Sequence, residues 1–306
     1  MRSKVKVMAA AGLALILAGA GLYAFLAARG RQGPAETADG WPGVELPSLL
    51  PVGTPVLGGA SNLLLVGLSE ETRSGKAFVA ADTVVVVRLD ERLRRAACLF
   101  IPRTTLLEIR DQGRRTLDEL YSLGGLPLLR QSLQDLTGLV FDHWMLLERR
   151  QFAWLVDLCG GINHTLTQPV SDPRWGSLEA GAALLDGNGA VLVNAYTGYE
   201  GGEPGRIRAQ QSFLLSAAAQ LHRAASRPGF AWIVNLAAGV IQGDLPTGTL
   251  LGLAREFASW PVADLSLGTA PGANGSIGGK KVYLLDEEAL RRSVESMVST
   301  VTVPAP

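Results

Sequence analysis

The stretch that decides the fold is AADTVVVVRLDERLRRAACLFIPRTT, Ala80–Thr105. It contains two continuous apolar runs, TVVVVRL and AACLFI, and Val-rich runs of this kind are typical of strands covered on both faces. Asp82 comes directly before the first run, and Arg103 follows the second. The sequence therefore predicts two buried strands that place an acidic and a basic side chain at their ends.

The segments around this stretch alternate between strand and helix patterns. NLLLVGL (62–68) predicts another buried strand, SEETRSGKAF (69–78) a polar loop, and LGTAPGANGSIGGKK (267–281) a loop or hairpin tip. Helical patterns occur in LPLLRQSLQDLTG, RRQFAWLVDLCGG, GRIRAQQSFLLSAAAQLHRAA, LPTGTLLGLAREFASW and EEALRRSVESMV, the last capped by Asp286. This alternation predicts an α/β fold: a three-layer domain with a central mixed sheet covered by helices on both faces.

The N-terminal segment predicts a membrane anchor. Residues 8–28 carry no charge, and a helix of this length spans a bilayer core. Arg2, Lys4 and Lys6 favour a cytoplasmic N-terminus. We therefore expect a single-pass protein of the cytoplasmic membrane with its domain on the extracytoplasmic side. A cleaved signal peptide, with small residues in AFLAA for cleavage, is the alternative, and it also exports the body.

The chain divides into three predicted parts. Residues 1–31 form the cytoplasmic tip and the transmembrane anchor, and the Pro/Gly-rich residues 32–60 form a linker. Residues 61–306 form the folded domain, with a core over about 61–225 and a C-terminal extension over 226–306.

Charge and cysteine content exclude some classes of function. The net charge is +0, but the first 31 residues hold five basic and no acidic residues, which leaves 23 basic against 28 acidic residues in the remainder. A mildly acidic body is a poor nucleic-acid binder, so no nucleic-acid partner is expected. Cys98 and Cys159 lie in apolar contexts typical of buried thiols, and no Cys/His spacing indicates zinc.

Seven motifs in a fixed order resemble the LytR-CpsA-Psr family of cell-envelope assembly proteins. They are NLLLVGL, DTVVVVRLD, IPRTT, DELYSLGG, FDHWMLLERRQFAWLVDLCGGI, LEAGAALLDGNGAV and GRIRAQQSFL. The resemblance covers about residues 62–224 and implies transfer of a glycopolymer from a polyprenyl-pyrophosphate carrier to peptidoglycan or another envelope acceptor. It also implies that magnesium and arginines hold the pyrophosphate, while the lipid tail lies in an apolar cavity.

The resemblance assigns roles to particular residues. Asp82 would hold the metal and serve catalysis with Arg103, and Arg103, Arg206 and Gln210 would bind the pyrophosphate. Arg208 and Arg115, each one place from a basic position of the family, are further phosphate candidates. Phosphoryl transfer depends on such positioning and charge neutralisation, and guanidinium groups bind phosphate in a bidentate way.

The sequence also departs from the family pattern. Compared with the family pattern, acids are replaced at Ser69 and Thr104, a lysine at Thr116, and arginines at Ala80, Ala195, Thr197 and Ala209. Glu70, next to Ser69, is the second metal-ligand candidate. Two functions stay open at this point: a glycopolymer transferase with an altered site, or a catalytically impaired member that binds polyprenyl-linked carriers or scaffolds envelope enzymes.

Overall fold

The protein is described by a computed structural model over residues 60–73, 75–91, 94–224, 230–259 and 265–302. The strands are β1 Ala60–Arg73, β2 Lys76–Asp90, β3 Arg95–Ile101, β4 Leu106–Ile109, β5 Gly113–Thr116, β6 His143–Glu148, β7 Ile162–Leu166, β8 Val170–Asp172, β9 Gly176–Leu178, β10 Gly181–Leu185, β11 Gln242–Gly243, β12 Leu265–Thr269, β13 Gly272–Ile277 and β14 Lys280–Leu285. The α-helices are α1 Leu120–Thr137, α2 Arg149–Leu158, α3 Gly187–Ala195, α4 Glu203–Ala224, α5 Phe230–Ala238, α6 Thr247–Ser259 and α7 Glu287–Thr302, and a 3₁₀ turn covers Leu117–Glu119.

Six strands form a central mixed sheet in the order β11-β6-β1-β2-β3-β12. The β1-β2-β3 meander is antiparallel, whereas β6 runs parallel to β1 and β12 runs parallel to β3. The predicted mixed sheet is therefore confirmed, and the apolar runs TVVVVRL and AACLFI lie in β2 and β3, both of which have a neighbouring strand on each side.

Both faces of the sheet are covered by helices. Leu63, Val85 and Val87 point into one core, which residues of α2 to α6 complete. Leu64 and Val86 point into the other, which α1 and α7 complete. This alternation of period two, with apolar side chains on both faces, explains why the strands lack a polar face. The molecule has the three layers that the sequence predicts.

The prediction of a polar loop at 69–78 is wrong. β1 continues to Arg73 and β2 begins at Lys76, and the register pairs Glu71 with Phe78 across the extended hairpin. Gly75 in the turn has φ +75°, a backbone conformation that glycine adopts at no steric cost. Polar residues occupy these strand ends because the hairpin extends beyond the part of the sheet that the helices cover, so that both strands are in contact with water there.

The C-terminal residues complete the domain. β12 forms an edge of the central sheet, and α7 packs on one of its faces. The Ala289 amide donates to Asp286 Oδ1 at 2.9 Å, which confirms the predicted N-cap of α7. Residues 267–281 contain the predicted hairpin, whose strands β13 and β14 turn at Gly278 and Gly279.

Some predictions fall outside the part of the chain that the structure describes. The predicted anchor at 8–28 and nearly all of the predicted linker at 32–60 lie outside the described residues. None of the helices that are described is long and apolar enough to cross a bilayer. Cys98 and Cys159 lie within the described range, and both are buried thiols as predicted.

Candidate active site

A β-bulge positions Asp82. In the β1-β2 ladder Thr83 pairs with Gly67 and Ala81 pairs with Leu68, so Asp82 is the extra residue between them. The two neighbours face opposite ways: Ala81 packs with α1 and α7, while Thr83 contacts Gln210 of α4. Bulges redirect side chains in this way and occur often beside active sites. The bulge turns the Asp82 carboxylate toward the face that α2 to α4 cover.

Arg103 meets Asp82 at the mouth of the neighbouring strand. It follows β3, and its guanidinium Nη1 donates to Asp82 Oδ1. Its Nε lies 3.6 Å from Glu203 Oε1 of α4. The sequence prediction that two strand ends bring an acid and a base together is thus correct in geometry.

Arg206 closes the site from α4. Its side chain is 1% exposed, and it lies between Asp82 and Glu203: Nη1 is 3.6 Å from Asp82 Oδ1, and Nη2 is 2.6 Å from Glu203 Oε1. Arg206 Nη2 also donates to the Asp82 carbonyl at 2.9 Å. Gln210, one turn further along α4, donates to Thr83 Oγ1 and to the Asn194 carbonyl, each at 3.0 Å. Arg206 and Gln210 therefore fix the bulge to the helix layer.

Three further charged residues lie beside Asp82, Arg103 and Arg206: Glu71, Arg149 and Glu203. The sequence analysis did not identify them as site residues. Arg149 Nη2 lies 2.9 Å from Glu71 Oε1 and 3.7 Å from Asp82 Oδ2. Glu203 is the third. Two sequence signals could have found them: Arg149 directly follows strand β6, as Arg103 follows β3, and Glu203 precedes Arg206 by one helical turn. We call Glu71, Asp82, Arg103, Arg149, Arg206 and Glu203 the charge cluster.

The charge cluster keeps Asp82 ionised. Burial of the carboxyl would raise its pKa, but the charges of Arg206, Arg103 and Arg149 outweigh burial and hold the pKa of Asp82 below its usual value. Burial likewise would lower the pKa of Arg103, but Asp82 and Glu203 raise it overall. The cluster contains three cations and three anions, so its formal charges balance.

An apolar cavity opens at the charge cluster. It has about 840 Å³ of empty space including its open mouth, and it lies between the sheet and helices α2 to α4. Asp82 and Arg149 line one part, whereas Val85, Phe100 and Phe152 are among the apolar residues that line the rest. A charged mouth above an apolar cavity suits a ligand with a phosphate head and a hydrocarbon tail.

The other predicted residues lie elsewhere. Glu70 is exposed, and because strand side chains alternate it points away from the face that Ser69 and Glu71 share; Ser69 Oγ donates to Glu71 Oε1 at 3.2 Å. Arg208 donates to the Glu200 carbonyl at 3.1 Å and lines a different pocket. The structure thus replaces Glu70 by Glu71 as the acid beside Asp82, and it places Arg208 outside the charge cluster.

One of the replaced family positions is bonded to a charged residue from another part of the chain, and a second lines the apolar cavity. Thr116, at the lysine position, accepts a hydrogen bond from Lys280 Nζ at 2.9 Å. Ala195, at an arginine position, lines the same cavity as Arg149. Arg115 contacts none of the residues of the charge cluster and lines an open cleft with Lys280.

The residues present fit a magnesium ion. Within the described ranges no group of three or more His, Cys, Asp or Glu side chains could hold a metal. Mg²⁺, however, takes one or two carboxylates together with substrate phosphates. Asp82 and Glu71 both lie within 4.0 Å of Arg103 Nη1, so two carboxylates meet at the mouth of the cavity.

The comparison with protein families decides the classification. The sequence model of the LytR_cpsA_psr family matches residues 54–299, which is most of the chain. The chain belongs to the LytR-CpsA-Psr family. The resemblance inferred from the seven motifs is therefore confirmed.

Similar proteins are named for cell-wall synthesis. The chain is 29% identical over 111 residues to the probable cell wall biosynthesis protein LcpB of Corynebacterium glutamicum, a match that covers 36% of this chain and 27% of LcpB. It is 25% identical to LcpA of the same organism, over 52% of this chain and 39% of LcpA. It is 22% identical to the polyisoprenyl-teichoic acid–peptidoglycan teichoic acid transferase TagU of Oceanobacillus iheyensis, over 76% of this chain and 73% of TagU.

Solved structures share the fold of this LytR-CpsA-Psr member. The crystal structure of B. subtilis TagV aligns with a TM-score of 0.70 at 16% identity, over 81% of this chain and 99% of TagV. TagT bound to LI-WTA aligns with a TM-score of 0.62 at 16% identity, over 82% of this chain and 94% of that one. At these identities the likeness concerns the fold alone.

Proposed function

We propose that this protein is a membrane-anchored transferase that moves a glycopolymer from a polyprenyl-pyrophosphate carrier to peptidoglycan or another envelope acceptor on the extracytoplasmic side. The observation that carries the proposal is the position of three arginines and two carboxylates at the mouth of an apolar cavity. Family membership and relatives named as teichoic acid transferases support it.

The arginines would bind the pyrophosphate. Arg103 and Arg149 are partly exposed, and each guanidinium group can form paired hydrogen bonds to phosphate oxygens. Arg206 is buried and bonded to Glu203, so it would add positive charge behind Asp82. In the proposed reaction an acceptor hydroxyl oxygen bonds to the phosphorus next to the sugar. The bond from that phosphorus to the bridging oxygen breaks, polyprenyl phosphate leaves with the bonding electrons, and the hydroxyl proton passes to water. The arginines would stabilise the negative charge that grows on the leaving phosphate.

Asp82 and Glu71 would serve charge and metal binding. An aspartate with a lowered pKa is a weak general base near neutral pH, so Asp82 suits a ligand role better than proton transfer. A bound magnesium ion would supply further charge neutralisation at the pyrophosphate. Because each arginine is paired with a carboxylate, substrate binding would exchange carboxylate partners for phosphate oxygens.

The same pairing favours a second candidate function. The charge cluster has equal numbers of cations and anions, and four arginine positions of the family hold alanine or threonine, so the chain could bind a carrier without cleaving it. This member would then hold polyprenyl-linked carriers or scaffold envelope enzymes.

A transfer assay separates the two functions. Full-length protein in detergent is incubated with a polyprenyl-pyrophosphate-linked oligosaccharide, peptidoglycan and magnesium, and released polyprenyl phosphate is quantified. We expect release by the wild type and loss of at least roughly 100-fold in Asp82→Ala, since one preorganised charged group accounts for about 10² to 10³ in rate. Carrier binding by the wild type without any release would support the binding function and contradict the transferase.

A further inference from the structure

A second basic site lies next to the charge cluster. An open cleft with about 800 Å³ of empty space is lined by four cationic side chains and a single acid, together with an aromatic ring and two α1 residues. The cations are Lys76, Arg114, Arg115 and Lys280, and the acid is Glu119. The body of the protein has more acidic than basic residues, so this concentration of positive charge is local.

Three separate hairpins build the cleft. Lys76 begins β2, Arg114 and Arg115 lie on β5, and Lys280 begins β14. Lys280 Nζ donates to Thr116 Oγ1 and Glu119 Oε1, each at 2.9 Å, which joins the β13-β14 hairpin to the β5 end. Glu119 also accepts the Thr116 amide at 3.1 Å. The one acid of the cleft is thus engaged in holding Lys280 in place, while three other cations line the opening.

The cleft adjoins the charge cluster along the β1-β2 hairpin. Its aromatic residue, Phe78, is the direct cross-strand partner of Glu71. Directly opposed residues in an antiparallel pair point to the same face with Cβ atoms about 5 Å apart. Phe78 and Asp82 are four residues apart on β2, which corresponds to about 13 Å of strand. A sugar chain that leaves the pyrophosphate at Asp82 therefore reaches the cleft within a few rings.

We infer that this cleft binds the glycan part of the substrate and selects an anionic glycan. Ammonium and guanidinium groups recognise carboxylate or phosphate substituents, and the face of Phe78 offers an apolar surface for a sugar ring. The inference rests on the proposed function, because it places the cleft on the path of the transferred polymer. It adds a prediction about the charge of the transferred glycan, because the charge cluster binds the pyrophosphate and does not contact the glycan.

Binding of short oligosaccharides to the full-length protein in detergent tests the inference. Titration calorimetry would compare hexagalacturonate and a glycerol phosphate hexamer, which are anionic, with uncharged maltohexaose and with inorganic phosphate. We expect at least one anionic oligomer to bind and to bind less tightly as salt rises. Equal binding of maltohexaose, or equally tight binding of inorganic phosphate, would overturn the assignment to an anionic glycan.

Charge-removing variants locate the binding site. The double variant Lys76→Gln/Arg115→Gln should weaken oligomer binding roughly five- to thirty-fold, because each charge-assisted contact at such a site is a several-fold effect. Arg110→Gln is the matched control, since Arg110 lies on the same β4-β5 hairpin with a side chain that is 96% exposed outside the cleft. Unchanged affinity in the double variant would overturn the inference.

Asp82→Ala separates this inference from the proposed function. That variant should lose transfer but still bind the anionic oligomer, because Asp82 lines the cavity and not the cleft. If the wild type transfers glycan while the double variant transfers anionic and neutral glycans at wild-type rates, only the cleft assignment fails. If no variant transfers glycan but the oligomer binds at the cleft, only the transferase proposal fails.

Discussion

At the scale of single residues, the site depends on how three arginines are shared among three carboxylates. Arg206 is nearly inaccessible to solvent and is held by Glu203, whereas Arg103 and Arg149 are partly exposed and face the cavity mouth. A buried guanidinium that loses its partner leaves an uncompensated charge, so Glu203 stabilises the site even without substrate. Arg103 and Arg149 are the groups best placed to exchange a carboxylate for a phosphate.

Arg149 gives a direct test of the charge cluster. We predict that Arg149→Gln lowers the transfer rate by roughly 10² to 10³, because a preorganised positive charge near the leaving phosphate is removed. Arg150→Gln is the matched control, since Arg150 is the next residue of α2 and is exposed. Initial rates at saturating carrier measure the effect. Equal rates in the two variants would show that Arg149 takes no part in the reaction.

The ionisation of Asp82 predicts how stability depends on pH. Its pKa is lower in the folded protein than the usual value of about 3.9, so the folded state favours the ionised form. The stabilisation from Asp82 is therefore complete above about pH 4 and is lost as pH falls below that value toward the folded pKa.

Comparison with Asp82→Asn measures this contribution. We predict that the difference in unfolding free energy between wild type and Asp82→Asn is constant from pH 5 to 8 and shrinks toward pH 3. Urea denaturation at fixed ionic strength provides the measurement. A difference that stays constant down to pH 3 would mean that Asp82 has no lowered pKa.

Four site residues could be predicted from sequence, and the others could not. Asp82, Arg103, Arg206 and Gln210 occur in ordered motifs, so their positions in the site followed from the family pattern. Glu71 could not be predicted from its neighbour Ser69, because the face that a strand residue occupies depends on the register. Arg149 and Glu203 do carry sequence signals, a strand end and one helical turn before Arg206, but their place beside Asp82 and Arg103 depends on how α2 and α4 pack against the sheet.

At the scale of elements, the β-bulge in β2 and the helices above it define the site. The Val-rich runs predicted the strands β2 and β3 correctly, because continuous apolar runs are buried on both faces. The bulge at Asp82 left no signal in those runs, since it depends on the pairing with Gly67 and Leu68. Sequence therefore predicted which strands carry the site, while the direction of the Asp82 side chain needed the structure.

Helix α3 offers a way to test whether the cavity binds a hydrocarbon tail. Val191 lies on α3 and lines the cavity. We predict that Val191→Phe weakens binding of polyprenyl phosphate by more than roughly ten-fold, because the larger ring occupies space that the tail would fill. Thermal unfolding midpoints would show the cost of overpacking, which is typically about 1–3 kcal/mol.

Val140→Phe is the matched control for this variant, since Val140 is 66% exposed and lies outside the cavity. It should bind polyprenyl phosphate as the wild type does. If Val191→Phe remains folded and retains wild-type affinity, the tail does not occupy this cavity.

At the scale of the whole molecule, the fold combines a charged strand-end site, an apolar cavity and an open basic cleft on one α/β domain. The family is shared with proteins named as teichoic acid transferases, and in this chain Arg149, Glu71 and Lys280 form ion pairs or hydrogen bonds at the cavity mouth and the cleft. In the proposed function, the charge cluster holds the head of a polyprenyl pyrophosphate and the apolar cavity holds its tail.

A crystal structure of the protein with a short polyprenyl pyrophosphate and magnesium tests this claim most directly. We expect phosphate oxygens within hydrogen-bond distance of Arg103 and Arg149, a metal ion beside Asp82 and Glu71, and the tail between the sheet and α3. A pyrophosphate bound away from these arginines, or a tail outside the cavity, would contradict it.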